Sequence, residues 1–304
     1  MVTGAAGALG TDLVRVLARA GDDRVRALGR DRLDVADRAA VHDAVANWVA
    51  TARAEADGER RPPVLINAAA FTAVDRAEIE PEARVAAWAA NADGPGHLAE
   101  ACARFGARLV HVSTDYVFDG TADRPYEPGD PVAPRSVYGA GKLAGEQRVR
   151  AALPEAHHVV RTSWVYGDVG ANFVRTMARL ASEGGEVDVV DDQHGCPTWS
   201  ADLAAGLVEL GRSRVPAGTL HAAGAGETTW CGLARSVFTA RGDDPGRVRP
   251  CTTDRFPRPA RRPSYSVLSG AAWRHAGLSP LPDWRRSLGA ALRRHPALFS
   301  AVRT

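Results

Sequence analysis

The stretch MVTGAAGALGTDLVRVLARAG (residues 1–21) decides the fold, because three evenly spaced glycines separate a short apolar start from an amphipathic segment. The apolar start favours a strand, Gly4, Gly7 and Gly10 favour a tight turn, and the segment after them favours a helix. Glycine lets the backbone approach a pyrophosphate closely, and the amides at a helix N-terminus can meet its charge. The stretch therefore predicts a dinucleotide-binding turn after the first strand.

The first strand is short in the sequence. Only Met1, Val2 and Thr3 precede Gly4, whereas strands typically run five or six residues. We therefore expect either a short central strand or a chain start that differs from the given one.

The stretch ALGRDRLDV (27–35) follows the glycine turn by about 20 residues, where folds of this kind bind the adenosine ribose. An arginine there accepts the 2′-phosphate of NADP, whereas a carboxylate binds the 2′-hydroxyl of NAD. Arg30 favours NADPH, Asp31 leaves NADH open, and Asp34 with Val35 is expected to border the adenine. NADPH is the predicted cofactor, with NADH as the alternative.

Further along, short apolar runs alternate with helical patterns, which is typical of βαβ units around a parallel sheet. The predicted strands lie at 25–28, 64–67, 108–113 and 157–163, and the predicted crossover helices at 39–56 and 82–106. We expect an α/β fold with a doubly wound parallel sheet over residues 1–166. Residues 167–304 should form mainly a smaller C-terminal substrate-binding lobe, with some segments packing back on the first domain.

Composition excludes several classes of protein. The 304 residues carry 38 basic and 36 acidic side chains without a long block of one sign, which argues against a nucleic-acid partner. No apolar run reaches the roughly 18 residues of a membrane span, and no basic and apolar leader opens the chain. Cys102, Cys196, Cys231 and Cys251 form no C-x-x-C pair, so we expect a soluble protein of the reducing cytoplasm.

The stretch SVYGAGKLAGE (136–146) places Tyr138 and Lys142 four residues apart, on one face of a helix. An ammonium group near a phenol favours the phenolate and lowers the pKa of the tyrosine, which suits general acid or base catalysis. Taken alone, such a pair is more often an exposed aromatic beside a cation. Whether this pair is catalytic therefore depends on the other motifs of the chain.

The glycine turn, STD at 113–115 and Tyr138-x-x-x-Lys142 together resemble the extended short-chain dehydrogenase/reductases. More narrowly, seven blocks in order resemble the dTDP-4-dehydrorhamnose reductase family, and they span nearly the whole chain. These blocks are NAAAFTAVDRAE (67–78), STDYVFDG (113–120), YGAGKLAGE (138–146), RTSWVYG (161–167), NF (172–173), DDQHGCPT (191–198) and RPSYSVL (262–268). The resemblance implies a Rossmann-type sheet and catalysis by the tyrosine and lysine pair.

In that family the nicotinamide delivers hydride to the C4 ketone of a dTDP-4-keto-6-deoxy sugar. By this resemblance, Tyr138 would protonate the resulting alkoxide. Lys142 would hold the nicotinamide ribose and lower the pKa of the tyrosine. The Thr114 hydroxyl would bind and orient the sugar carbonyl.

The resemblance also assigns binding residues. Those implied to contact the cofactor are Gly4, Gly7, Ala8, Leu9, Gly10, Arg30, Asp34, Val35, Ala68, Ala69, Ala70, Thr72, Tyr138 and Lys142. Those implied to contact the substrate are Val74, Thr114, Asp115, Phe118, Trp164, Asn172 and Arg262. Arg262 would pair with the diphosphate, because guanidinium suits phosphate geometry. For Trp164, a core position remains an equal alternative.

Several alternatives stay open. The sugar could be the rhamnose precursor or that of a related dTDP-L-dihydrostreptose synthase in antibiotic biosynthesis. A nucleotide-sugar epimerase or 4,6-dehydratase is disfavoured, because dehydratases usually follow the catalytic threonine with Asp-Glu, whereas Asp115 and Tyr116 follow Thr114. A non-catalytic role, as in the regulatory subunit of methionine adenosyltransferase, is disfavoured by the retained Thr, Tyr and Lys set.

Metal and oligomer also stay open. Some relatives form homodimers through magnesium-bound carboxylates, and we match no such carboxylates in this chain. Mg²⁺ is therefore an unsupported option, and a homodimer is a hypothesis.

Overall fold

The computed structural model describes residues 1–22, 24–55 and 61–295. The strands are β1 (Val2–Thr3), β2 (Ala27–Leu28), β3 (Val64–Asn67), β4 (Arg108–Thr114), β5 (His157–Thr162), β6 (Val165–Tyr166), β7 (Val187–Val190), β8 (His194–Gly195), β9 (Thr198–Trp199), β10 (Gly218–His221), β11 (Thr228–Thr229) and β12 (Val248–Cys251). The α-helices are α1 (Ala8–Arg19), α2 (Arg38–Ala54), α3 (Val74–Ile79), α4 (Pro81–Trp88), α5 (Gly94–Phe105), α6 (Val137–Ala152), α7 (Phe173–Glu183), α8 (Ser200–Arg212), α9 (Trp230–Arg241), α10 (Ala271–His275) and α11 (Trp284–Arg294).

Six strands form one sheet in the order β10-β5-β4-β3-β1-β2, and every pairing in it is parallel. The predicted α/β class and parallel sheet are confirmed. All four predicted strands exist, although in the first only Ala27–Leu28 pairs with a neighbour. The strand order reverses at β1, and the crevice above such a reversal is where doubly wound sheets bind ligands.

Both faces of the sheet are buried, which explains why its strands are almost continuously apolar. Successive side chains of a strand point to opposite faces. One face packs Leu65, Leu109 and Val159 against α2 and α5. The other face packs neighbours such as Ile66 and Val110 against α1, α8 and α10.

The central strand β1 is only two residues long, as one of the two expectations had it. Gly4 follows it with a φ of +69°, a conformation that side chains rarely adopt. A Cβ at Gly4 would also come within 2.5 Å of the Ala69 amide nitrogen. Glycine therefore lets the turn after β1 lie directly against the loop after β3.

The second half of the chain contributes to both parts of the molecule. The strand β10 joins the sheet beside β5, and α8 packs on α1. A separate apolar cluster surrounds Trp284, Phe238 and Val174. Residues 200–221 thus lie with the sheet, whereas α7, α9 and α11 build the second core.

The predicted helix at 82–106 is interrupted. Five residues, Ala89–Asp93, form a π-helical turn between α4 and α5. Within it, the Asn91 amide accepts a hydrogen bond from the Phe71 nitrogen and donates one to the Phe71 oxygen, both at 2.9 Å. The interruption therefore anchors the loop that follows β3. Among the described helices, none is long and apolar enough to cross a membrane.

Candidate active site

Helix α6 carries Tyr138 and Lys142, and its N-terminus is capped twice. The Ser136 hydroxyl accepts a hydrogen bond from the Gly139 amide at 3.1 Å, and the Glu78 carboxylate accepts one from the Val137 amide at 2.6 Å. Such caps satisfy amides that lack a carbonyl within the helix. They fix the first turn of α6, which contains Tyr138.

A buried carboxylate ties the middle of α6 to the sheet. Glu146 is fully buried and accepts hydrogen bonds from Arg161 on β5 at 2.8 and 2.9 Å and from the Ser113 hydroxyl on β4 at 2.6 Å. Arg150 adds a further bond at 2.7 Å. Since two neighbouring strands hold one helical residue, the position of α6 relative to β4 is set.

Thr114 ends β4 at the carboxyl edge of the sheet and faces the first turn of α6. Its hydroxyl accepts a hydrogen bond from the Tyr116 amide at 3.2 Å and donates one to Asp115 Oδ1 at 2.9 Å. The Tyr138 phenol lies beside the same hydroxyl. The structure thus brings together the threonine and tyrosine that the sequence predicted as partners.

Burial raises the pKa of Tyr138 to about 12, and the charge of Asp115 adds to the rise. Lys142 does not lower it, so that expectation is wrong for this structure. The ammonium group is instead turned toward β4, where it donates to the Val112 carbonyl at 2.6 Å. The phenol is therefore firmly protonated at neutral pH.

Lys142 ends a buried polar chain that crosses three strands. Its Nζ lies 3.5 Å from His111 Nε2, the Asn67 amide lies 3.0 Å from His111 Nδ1, and the Thr3 hydroxyl donates to Asn67 at 2.7 Å. Burial and the Lys142 charge lower the pKa of His111 well below its usual value, so the imidazole is neutral. Burial lowers the pKa of Lys142 to about 8.

The predicted dinucleotide turn has the shape that a pyrophosphate needs. Gly7 is exposed, and a Cβ there would meet only the Gly4 carbonyl, at 3.4 Å. Gly7 is also the N-cap of α1, where no side chain caps the helix and no acidic residue stands in the first turn. The free amides of this turn, including those of Ala8 and Leu9, can therefore meet an anion.

The rest of the predicted cofactor surface lies along the same edge. Ala68, Ala69 and Ala70 follow β3, with small side chains that leave space beside the glycine turn. Arg30 follows β2 with 80% of its side chain exposed, and it meets Asp34 at 3.4 Å. The residues present fit a dinucleotide with a 2′-phosphate.

Trp164 lies just after β5 and has a φ of +46°, the only positive value among the described residues other than glycine. Its ring stacks on Trp230 at 3.6 Å between centroids, with 6° between the planes. A bulky residue in this backbone region stores strain, which is common at functional sites. The half-buried indole pair is consistent with a pocket wall.

Three of the predicted substrate residues have side chains that are engaged in contacts within the protein. Phe118 is 1% exposed and stacks on Tyr126 at 4.1 Å, so its predicted substrate contact is wrong and it is a core residue. Asn172 caps α7 through the Arg175 amide. Arg262 donates to Asp75 at 2.9 Å, while its buried Nη1 has no hydrogen-bond partner among the described residues.

Thr72, Val74 and Val35 are further residues that the sequence predicted for the site. Thr72 is exposed and its carbonyl accepts a hydrogen bond from the amide of Val74, the first residue of α3. Val35 is buried, with its carbonyl against His97. Their contacts with a ligand stay predictions.

Sequence reasoning missed the groups that hold the catalytic residues. They are Glu78, Asn91, His111, Glu146, Arg161, Ser163, Trp230 and Ser266. Most lie inside or beside the sequence blocks that carried the family resemblance, which was the available signal. In the described ranges, no cluster of three or more His, Cys, Asp or Glu side chains could hold a metal ion.

Comparisons with known proteins agree with this geometry. A family model described as the RmlD substrate binding domain matches residues 1–296. A dTDP-4-dehydrorhamnose reductase of Streptomyces griseus is 50% identical, covering 95% of this chain and 91% of that protein. A probable dTDP-4,6-dihydroxy-2-methyloxan-3-one 4-ketoreductase of Streptomyces antibioticus is 49% identical, covering 96% of this chain and 93% of that protein. The crystal structure of a Bacillus anthracis dTDP-4-dehydrorhamnose reductase in complex with NADP has a TM-score of 0.87 and 34% identity, covering 96% of this chain and 98% of that one.

Lys142 is the single lysine in the sequence, which makes its titration measurable. With ¹³C-lysine labelling, we expect one side-chain NMR signal with a midpoint near the pKa of about 8. In the unfolded chain the pKa of the lysine is 10.5. Between the folded and the unfolded pKa the unfolded state binds more protons, so the free energy of unfolding should rise with pH in that interval. Lys142→Met should therefore raise the free energy of unfolding at pH 7 by about 1–3 kcal/mol, measured by urea denaturation.

The gain in Lys142→Met should shrink as pH rises through that interval, because the wild-type lysine then loses its proton. Arg148→Met, which removes a half-exposed cation from the same helix, is the matched control and should show no such gain. A Lys142→Met protein less stable than wild type at pH 7 contradicts the expectation.

Proposed function

The chain belongs to the dTDP-4-dehydrorhamnose reductase family, and we propose that it reduces the C4 ketone of a dTDP-4-keto-6-deoxy sugar with NADPH. One observation carries the proposal: Thr114 ends β4 at the carboxyl edge of the sheet, and helix α6, which carries Tyr138 and Lys142, packs against that strand. The glycine turn that fits a pyrophosphate lies at the same edge. This arrangement suits reduction of a carbonyl between a dinucleotide and a proton donor.

Tyr138 is the proposed proton donor. Its raised pKa keeps the phenol protonated at neutral pH, and an alkoxide is basic enough to take that proton. The Thr114 hydroxyl, which lies beside the same phenol, is proposed to orient the ketone. When bound, NADPH supplies the hydride.

Lys142 is proposed to hold the nicotinamide ribose. Burial lowers its pKa to about 8, so most of the population is cationic at neutral pH. The Val112 carbonyl holds the ammonium group beside the end of β4. Arg30 is proposed to meet the 2′-phosphate and Arg262 the substrate diphosphate, because both guanidinium groups suit phosphate.

The sugar is proposed to be the 4-keto precursor of dTDP-L-rhamnose. The Streptomyces griseus relative is named as a dTDP-4-dehydrorhamnose reductase, whereas the Streptomyces antibioticus relative is named for a different 4-keto sugar. Both are about equally similar to this chain, so a sugar of antibiotic biosynthesis is the second candidate.

We propose that the enzyme acts in the cytoplasm as a homodimer. The buried thiols of Cys102, Cys196 and Cys231 are unpaired, which suits a reducing compartment. Val85 and Trp88 lie on one face of α4, 70% and 41% exposed, and Ile79 at the end of α3 is 63% exposed. Exposed apolar residues gathered in one place favour a protein partner, here a second copy.

The function is tested by mixing the protein with NADPH and enzymatically prepared dTDP-4-keto-L-rhamnose, then identifying the product. Stoichiometric consumption of NADPH with formation of dTDP-L-rhamnose supports the proposal and its sugar. Consumption with only another dTDP-4-keto sugar supports the second candidate. No consumption with any such sugar, despite NADPH binding, contradicts the reductase.

Tyr138→Phe should lower kcat by about 10²–10⁴-fold, because the variant lacks the donated proton. The dissociation constant of NADPH, measured by fluorescence titration, should stay within about threefold, since less than 1 kcal/mol is lost. Tyr116→Phe is the matched control, because this second buried phenol has its ring only 5.9 Å away. Equal losses in both variants contradict a specific role for Tyr138.

Arg30→Ala should raise the KM for NADPH about tenfold or more, since a hydrogen bond between charged groups contributes about 1.5–3 kcal/mol. The KM for NADH, which lacks the 2′-phosphate, serves as the internal control and should change little. Steady-state kinetics with both cofactors give the comparison. Equal increases in the KM values for NADPH and NADH contradict a contact between Arg30 and the 2′-phosphate.

Val85→Glu should convert the homodimer to a monomer, because a charge in the centre of an apolar interface is desolvated without a partner. Sedimentation velocity at micromolar concentration measures the change. Phe256→Glu, at another exposed apolar residue of 40% exposure, is the control and should stay dimeric. A monomeric wild-type protein contradicts the proposal.

A further inference from the structure

Asp115 is a buried carboxylate without a cationic partner. Its side chain is 2% exposed, and it accepts hydrogen bonds from the hydroxyls of Thr114 at 2.9 Å and Ser163 at 3.1 Å. The Ser266 hydroxyl faces the same group. No basic side chain of the described ranges pairs with it, although buried charges are usually paired.

The Thr114 hydroxyl cannot form hydrogen bonds with all of its neighbours at once. A hydroxyl has one proton to donate and two lone pairs that accept. Here the proton goes to Asp115 Oδ1, and one lone pair takes the Tyr116 amide. The Tyr138 phenol lies beside the same hydroxyl. In this arrangement Thr114 has no proton left for a substrate ketone.

When Asp115 is protonated, the hydrogen bond between Asp115 and Thr114 reverses its direction. Its carboxyl O–H donates to Thr114, and the Tyr116 amide occupies the other lone pair. The Thr114 proton is then free, and the Tyr138 proton is free as well. Two hydroxyl donors can now meet one ketone oxygen, which is the arrangement that polarises a carbonyl.

We propose that Asp115 is a positioning residue whose protonation turns the Thr114 hydroxyl toward the substrate ketone, so that binding of the ketone takes up one proton from solvent. This inference rests on the proposed reduction and deepens it. The product alcohol carries its own O–H, which can donate to Thr114. Asp115 can then ionise again, which favours product release.

The surroundings of Asp115 allow this change near neutral pH. Burial raises the pKa of its carboxyl to about 6, against the neighbouring hydroxyls of Ser266, Thr114 and Ser163, which lower it. The titratable groups that face it are the phenols of Tyr116 and Tyr138 and the thiol of Cys196.

Burial raises the pKa of all three of these groups, so they stay neutral across the range of interest. The carboxyl is therefore mostly ionised at pH 7.5 before the ketone binds. A ketone that needs the Thr114 proton shifts the equilibrium toward the acid form, because it stabilises only that form.

Calorimetry tests the proton uptake directly. The protein loaded with NADP⁺ is titrated at pH 7.5 with a dTDP-4-keto-6-deoxy sugar in buffers of different ionisation enthalpy. We expect uptake of about one proton per site with the ketone. We expect none with dTDP alone, and none with the ketone in Asp115→Asn, whose amide donates to Thr114 permanently.

The pH profile of kcat/KM gives a second readout. The wild-type activity should fall as pH rises through the pKa of Asp115, whereas the activity that Asp115→Asn retains should not change with pH over that interval. Ser163→Ala removes a donor that stabilises the carboxylate, so it should raise the pKa and move the falling limb to higher pH. This variant keeps the test valid if Asp115→Asn does not fold.

Absence of proton uptake in wild type, unchanged uptake in Asp115→Asn, or an unshifted limb in Ser163→Ala overturns the inference. These outcomes leave the proposed function standing, as long as wild type reduces the ketone. Failure of that function is seen separately, as a wild-type protein that binds NADPH and reduces no dTDP-4-keto sugar.

Discussion

The buried ion pair between Glu146 and Arg161 is the constraint on which the site depends. Arg161 lies on β5, Ser113 on β4 and Glu146 on α6, so three elements meet at one fully buried carboxylate. Removing one partner of such a pair leaves an uncompensated charge and typically costs about 3–5 kcal/mol. The pair therefore fixes α6 in one position over the sheet. Catalysis needs that precision, because Tyr138 stands on the helix whereas Thr114 ends the strand.

Close backbone contacts complete the placement of α6. Gly139 and Gly145 face the Tyr116 and Asn91 carbonyls, where a Cβ would overlap the backbone. The π-helical turn brings Asn91 both to α6 and to the loop after β3. The surfaces for the tyrosine, the lysine and the dinucleotide are thus coupled by packing. Polar networks of this kind specify one arrangement when every member is satisfied.

Much of the fold could be predicted from the sequence, because each signal was local. Glycine spacing, apolar runs and helical periodicity depend on neighbours within about ten residues, and they predicted the parallel sheet and the turn after β1. The family resemblance added Thr114, Tyr138 and Lys142, whose catalytic roles stay predictions. The errors have a common cause. Phe118 is enclosed by Tyr126 and His221, and the Lys142 ammonium group turns to Val112, through contacts between residues far apart in the chain.

The sequence by itself determined the fold class and predicted the dinucleotide turn and the catalytic residue types, since these follow from short-range patterns of backbone freedom and side-chain chemistry. Only the tertiary structure decided how those groups behave. Burial sets the protonation of Tyr138, Lys142 and Asp115, and burial is produced by segments such as β5 and residues 262–268 that come from elsewhere in the chain. A pKa depends on the whole surrounding volume, and no local pattern of residues contains that volume.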